Sequence, residues 1–224
     1  MIKQKERNAV MTENIKSYTH VALVLDASGS MSSIRQATIS TMKEFFESLK
    51  SSDDKTVIDL WQFDDRVRHL IKGADIENGG VRAIERYSTR GCTALYDAIC
   101  IGIDELGRKF AAMEKRDRPD AVVFAILTDG FENASQRFCV EDVKTRIQHQ
   151  TEKYSWTFRF LAANQDAVLT GQEMGLHEDA CQTFDVSKEG IETVASGMSR
   201  MCCLEIRSEA RKIRASRNSR SCAS

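Results

Sequence analysis

The chain has 224 residues, 42% of them apolar, and its 32 lysines and arginines against 33 acidic residues leave a net charge of −1. One domain with room for an extension is the default at that length, and the apolar fraction suffices for a sizeable core. The charge balance provides no overall field toward nucleic acid or a membrane surface, and no run of 18 apolar residues is present to span a bilayer.

Residues 1–17 read as a polar lead-in with no apolar h-region, so no secretory signal is expected. Met11 stands as an alternative start to Met1. His20 to Asp26 is a near-continuous apolar run, the mark of a strand covered on both faces. Ser32 or Ser33 is placed to cap a helix whose stripe is Ile34, Ala37, Met42, Phe45, Phe46 and Leu49. Thr56 to Phe63 reads as a strand, Asp64-Asp65-Arg66 as a tight turn, and Val67 to Ile71 as a short antiparallel edge strand. Residues 75–90 read as a loop.

A second helix begins after Thr93, with Leu95, Ala98, Ile99, Gly102, Leu106, Phe110 and Met113 on one face. Pro119, the one proline of the chain, follows its end. Ala121 to Leu127 is another fully apolar strand, and 130–137 a polar loop. Val140, Val143 and Ile147 mark a helix. Trp156 to Ala163 is a strand, Asp166 to Met174 a short helix, Cys181 to Val186 a last strand, and 188 to about 215 a final helical region. Alternating strands and helices predict an α/β, Rossmann-like three-layer fold. Its central sheet is mostly parallel, with one antiparallel edge strand and helices on both faces. The domain spans 18–199, and 200–224 form a basic helix end and tail.

One group of residues carries chemistry. Asp26, Ser28 and Ser30 lie at every second position off the end of the first buried strand. All are hard oxygen donors, and no histidine adjoins them to make a nucleophile. Such a set suits a hard divalent cation such as Mg²⁺. Parallel sheets place ligands beyond the carboxyl ends of their strands, at the point where the connections reverse. Asp129, in Thr128-Asp129-Gly130, ends the other buried strand.

Asp26-x-Ser28-x-Ser30, then Thr93, then Asp129 in its Thr-Asp-Gly setting, resembles the metal-ion-dependent adhesion site (MIDAS) of von Willebrand factor A (vWA) domains. The resemblance implies a metal held by Asp26, Ser28, Ser30, Thr93 and Asp129. Ser28, Ser30 and often Thr93 would bind directly, and the carboxylates largely through water. It also implies that the two buried strands are neighbours. Mg²⁺ is the implied ion, with Mn²⁺ the alternative, and one coordination position is left for a Glu or Asp of a protein partner. Thr93 and Asp129 would exchange roles between resting and engaged states. Cys92 departs from the family, which often has Gly there.

The seven irregularly spaced cysteines include no C-x-x-C pair and read as reduced thiols. The expectation is therefore a cytoplasmic, stand-alone vWA module of bacterial or phage type. It would be an adaptor or scaffold in a signalling, stress or chaperone-like complex, and not an enzyme. The alternative is a metal-dependent phosphatase or hydrolase. A haloacid-dehalogenase-like enzyme would need an Asp where Ser28 stands, and neither a P-loop nor a G-x-S-x-G motif is present. A second alternative is RNA binding through the tail, where seven Lys or Arg face Glu205 and Glu209. No aromatic residue interleaves them, so nucleic acid is not the expected partner. His20, His69, His149 and His177 read as structural or solvated, Asp64-Asp65 as a solvated turn, and Cys92 as an inert thiol. Partner, pathway and oligomeric state are left open.

Overall fold

The computed structural model describes residues 17–50, 55–78, 80–163, 166–185, 187–193 and 197. The elements run β1 (Tyr18–Asp26), α1 (Arg35–Ser48), β2 (Lys55–Phe63), β3 (Val67–Asp75), α2 (Leu95–Ala111), β4 (Ala121–Thr128), α3 (Val140–Tyr154), β5 (Thr157–Ala163), α4 (Ala167–Glu173) and β6 (Cys181–Phe184). The strands form one sheet ordered β3-β2-β1-β4-β5-β6. Every pairing is parallel except β2 with β3. This is the expected architecture. Residues 188–193 are helical. The rest of the expected final helix, the lead-in up to residue 16 and the basic tail lie outside the described residues.

The two-residue period of β1 divides the core. Val21, Leu23 and Leu25 face one layer with Met42, Phe45 and Phe46 of α1. Ala22 and Val24 face the other with Ile99, Ile103 and Leu106 of α2 and Val143 and Ile147 of α3. Both faces are covered, so the strand reads as a continuous apolar run and not as an alternation. The order 3-2-1-4 reverses connection direction between β1 and β4. Their carboxyl ends, Asp26 and Thr128, therefore flank the switch point.

Several local readings differ from the structure. Ser17, immediately before β1, is buried and its carbonyl accepts from the Lys55 amide. Ser32 and Ser33 do not cap α1. A 3₁₀ turn over Gly29–Ile34 intervenes, Ile34 takes the cap position, and Ser32 bonds to Thr89. Strand β3 extends to Asp75, past an irregularity in its pairing with β2. Residues 75–90 hold short 3₁₀ turns that bury Ile76, Ile84 and Tyr87 beneath the α1 layer.

Asp59 is a buried carboxylate in the middle of β2. Its Oδ2 is 2.7 Å from Nε2 of His20 and 2.8 Å from Nζ of Lys109, and its Oδ1 is 2.6 Å from Nε2 of His69. Tyr18 Oη bonds the other nitrogen of His20, at 2.9 Å. Burial alone would raise the Asp59 carboxyl, but these three donors outweigh it and hold it far below the ordinary range. Burial lowers His20, against the pull of Asp59. Lys109 arrives from the last turn of α2 through a gap at Gly73. That glycine sits at φ +59°, and a Cβ there would come within 2.8 Å of the ammonium. Glu105, one turn earlier on α2, accepts from the Trp61 indole at 2.9 Å. The carboxyl-terminal half of α2 is thus fastened to the sheet by polar bonds as well as by its apolar stripe.

Candidate metal centre

At the switch point the structure brings together all five predicted site residues. Asp26 is fully buried at the end of β1. Its Oδ1 accepts from the Ser28 amide at 2.7 Å and its Oδ2 from the Thr128 hydroxyl at 2.5 Å. Both oxygens are engaged by protein, which suits the indirect, water-mediated part that the resemblance implies for it. Ser30 Oγ donates to Asp129 Oδ1 at 2.7 Å, and Ser28 Oγ lies 3.4 Å from the same oxygen. The two serine hydroxyls are 3.0 Å apart. The Thr93 hydroxyl borders Gly130, where an added Cβ would lie 3.2 Å from it. Thr93, Ser28 and Asp129 are all buried.

This arrangement contains an electrostatic deficit. Burial raises the Asp26 carboxyl to about 6, although Thr128 and Ser28 donate to it. Burial also raises Asp129, with Ser30 in partial opposition. Asp129 Oδ2 is buried and has no hydrogen-bond partner among the described residues. A buried carboxylate oxygen without a donor is costly unless a cation or proton meets it. Two carboxylates and three hydroxyls are a hard-oxygen set of the kind Mg²⁺ accepts while keeping several waters. Among the described residues no group of three His, Cys, Asp or Glu is arranged to hold a metal ion. The residues present therefore fit a divalent ion, for which Ser28, Ser30 and Thr93 would be inner donors and Asp26 the supporting one; the unpartnered Oδ2 would make Asp129 an inner donor as well, where the resemblance implies a bond through water.

Thr93 is positioned by partners that sequence reasoning passed over. It does not cap α2, which begins two residues later with Ala94 at the cap position. The loop after β4 supplies the caps. Asn133 Oδ1 accepts from the Thr93 amide (2.9 Å), Glu132 Oε2 from the Tyr96 amide (3.0 Å) and Ser135 Oγ from the Asp97 amide (3.1 Å). Asp97 answers by accepting from the amides of Gln136, Arg137 and Phe138. Its role is to hold that loop. The sequence signal was present: Glu132-Asn133-x-Ser135 is a run of capping residues directly after Asp129.

Asp64 was expected in a solvated turn. It is instead fully buried, accepting from Arg68 and from Arg90 Nε at 2.9 Å. Arg68 and Arg90 were invisible as its partners, because they lie four and 26 residues away.

The von Willebrand factor type A domain profile matches residues 20–196. The chain belongs to that family. Solved structures similar to this vWA domain include proximal thread matrix protein 1 from the mussel byssus, in a form with a zinc-occupied MIDAS motif. It is 19% identical, with TM-score 0.62, and the match covers 84% of this chain and 46% of that one. A von Willebrand factor type A protein from Catenulispora acidiphila is 16% identical, with TM-score 0.57, covering 82% and 42%. The vWF domain of the type V pili tip protein Mfa5 from Porphyromonas gingivalis is 9% identical, with TM-score 0.57, covering 86% and 97%. At such identities the likeness is one of fold. This chain spans less than half the length of the first two. No curated protein matches it by sequence. Among the described residues no helix is long and apolar enough to cross a membrane, and Cys92, Cys100, Cys139 and Cys181 are free thiols.

Proposed function

We propose that this vWA domain is a metal-dependent protein-interaction module with a complete MIDAS formed by Asp26, Ser28, Ser30, Thr93 and Asp129. The observation that carries the reading is the buried, unpartnered Oδ2 of Asp129, whose other oxygen meets the Ser28 and Ser30 hydroxyls, with Thr93 bordering the next residue and a second raised carboxyl at Asp26. Mg²⁺ is the proposed ion, Mn²⁺ its substitute. Bound there, a divalent ion supplies a partly uncompensated positive charge and a position for a carboxylate of a partner protein. The chain's own residues do the rest. Asp26 holds the Ser28 amide and so shapes the loop, and Ser28 and Ser30 present neutral oxygens that leave the charge only partly cancelled. Glu132, Asn133 and Ser135 hold Thr93 at the edge.

The proposal places the domain in the cytoplasm of a bacterium or in a phage-infected cell. There it would act as an adaptor in a signalling, stress or chaperone-like complex, without catalytic turnover. Reduced thiols support the compartment. The absence of turnover is supported by His20 and His69, which are tied to Asp59 and not to the site. Two measurements test the reading. Calorimetry should detect Mg²⁺ binding to the wild type and none to Asp129→Ala. Partner capture from the native host should need Mg²⁺ and disappear with EDTA or with Asp129→Ala. Equal capture in all conditions removes the metal from the mechanism. Turnover of phosphate esters that is lost in Asp26→Asn would make it a hydrolase.

A further inference from the structure

Beside the metal loop lies a second polar assembly that the MIDAS does not use. Asp64 follows Phe63, which pairs with Asp26 in the sheet, so it stands one strand over from the metal locus at the same end. Its carboxylate is sealed from solvent, yet it gathers three donors. Oδ2 accepts from Arg90 Nε at 2.9 Å and from Arg68 Nη2, and Oδ1 accepts from the Arg66 amide at 2.8 Å. Burial alone would raise Asp64, but these contacts, together with the neighbouring Asp65, outweigh it and hold its carboxyl below the ordinary range.

The arginines themselves are not sealed. The Arg90 side chain is 54% exposed and that of Arg68 35% exposed. Arg90 spends Nε on Asp64 and Arg68 spends Nη2, so the remaining guanidinium edges stay available. Arg66 is exposed nearby. The acidic residues facing them are Asp64 and the exposed Asp65, so cationic charge predominates. The backbone of this assembly is joined to the metal loop. The Arg90 amide donates to the Ala27 carbonyl at 2.7 Å, the Gly29 amide to the Gly91 carbonyl at 3.1 Å, and the Ala94 amide to the Asp64 carbonyl at 2.9 Å.

We infer that Arg68 and Arg90, held on buried Asp64, form a second anion subsite beside the MIDAS, and that the partner is an acidic extended segment presenting two carboxylates, one to the metal position and one to this arginine pair. The inference rests on the reading of the MIDAS as a carboxylate acceptor. Adjacent strands are about 4.8 Å apart and alternate residues of an extended segment about 7 Å apart, so acids at positions i and i+2 can span the two subsites. Guanidiniums already fixed on a buried carboxylate lose little freedom on gripping another anion, and their planar fork favours carboxylate geometry. The same subsite would reject a partner with a cation at that second position.

The test uses the full chain with Mg²⁺ and two probes, Gly-Glu-Gly-Glu-Gly and Gly-Glu-Gly-Gln-Gly, titrated by NMR. A third probe is an oligothymidylate with two phosphates. Arg90→Gln removes the charge but leaves an amide donor for Asp64, and Arg90→Lys keeps the charge as a second variant should Arg90→Gln fold poorly. The expected result is that the two-glutamate peptide binds the wild type at least five-fold more tightly than the one-glutamate peptide. That preference should fall to about one-fold in Arg90→Gln and survive in part in Arg90→Lys, with Mg²⁺ affinity unchanged in both. Equal preference in wild type and Arg90→Gln, with Mg²⁺-dependent binding of the one-glutamate peptide intact, overturns the arginine subsite and leaves the MIDAS reading standing. Failure of the wild type to bind Mg²⁺ overturns the underlying reading as well. An oligothymidylate that displaces the two-glutamate peptide at equal concentration overturns the assignment to an acidic protein segment.

Discussion

Replacing Asp26 by Asn separates stability from metal binding, because the carboxylate is a burden to the metal-free protein. Asp26 is fully buried and its carboxyl rises from the ordinary 3.8 to about 6. Such a rise corresponds to about 3 kcal/mol of folding free energy. The sign follows from proton counting. Between pH 4 and 6 the folded chain binds more protons at this site than the unfolded chain does, so the contribution destabilises progressively as pH rises, and fully above 6. Asn has nearly the same shape, can accept from the Ser28 amide and carries no charge. In EDTA at pH 7, Asp26→Asn should therefore be more stable than the wild type by up to about 3 kcal/mol. Mg²⁺ reverses the order. An ion at 1,000 times its dissociation constant stabilises the protein that binds it by about 4.1 kcal/mol, and the variant should gain far less. Urea denaturation in EDTA and in Mg²⁺ reads both quantities. A variant less stable than wild type in EDTA, or one stabilised by Mg²⁺ as strongly, refutes the argument.

Gly73→Ala forces a side chain into a left-handed conformation and against Lys109 Nζ, and should cost about 1–3 kcal/mol in thermal denaturation. Glu132→Ala removes the acceptor for the Tyr96 amide and should cost about 1 kcal/mol, and it should also weaken Mg²⁺ binding several-fold in calorimetry by loosening Thr93. For Asp59 the folded carboxyl lies below its unfolded value. Its stabilisation is full above about pH 4 and is lost as pH falls below that, so Asp59→Asn should flatten the acid limb of the stability curve, followed by circular dichroism from pH 7 to 2.

Much of this architecture was legible in the sequence for physical reasons. β1 and β4 are covered on both faces and so appear as unbroken apolar runs, and α2 carries a full stripe. The candidate metal residues stood out because three of them share one short loop and Asp129 ends the second such run. Long-range polar partnerships were less legible. Asp59 carries no signal of its role within the β2 segment, since His20, His69 and Lys109 reach it from three other elements. Asp64 looked solvated because nothing in a local Asp-Asp-Arg turn announces Arg90. The cap of α1 was misread because Gly29–Ile34 coils into a tighter turn before the helix begins, and β3 was cut short at its irregularity.

Helix α2 is secured at both extremities: Glu132 and Ser135 grip its first amides beside Thr93, and Lys109 reaches down to Asp59 some 20 Å away along its axis. A rod staked at each end resists sliding. Tension applied by a tethered ligand at Thr93 is therefore delivered into the centre of the sheet, so the helix serves as a strut. Cutting the distant stake, as in Lys109→Met, should make the attachment yield at lower pulling force in single-molecule measurements without altering any atom of the grip itself.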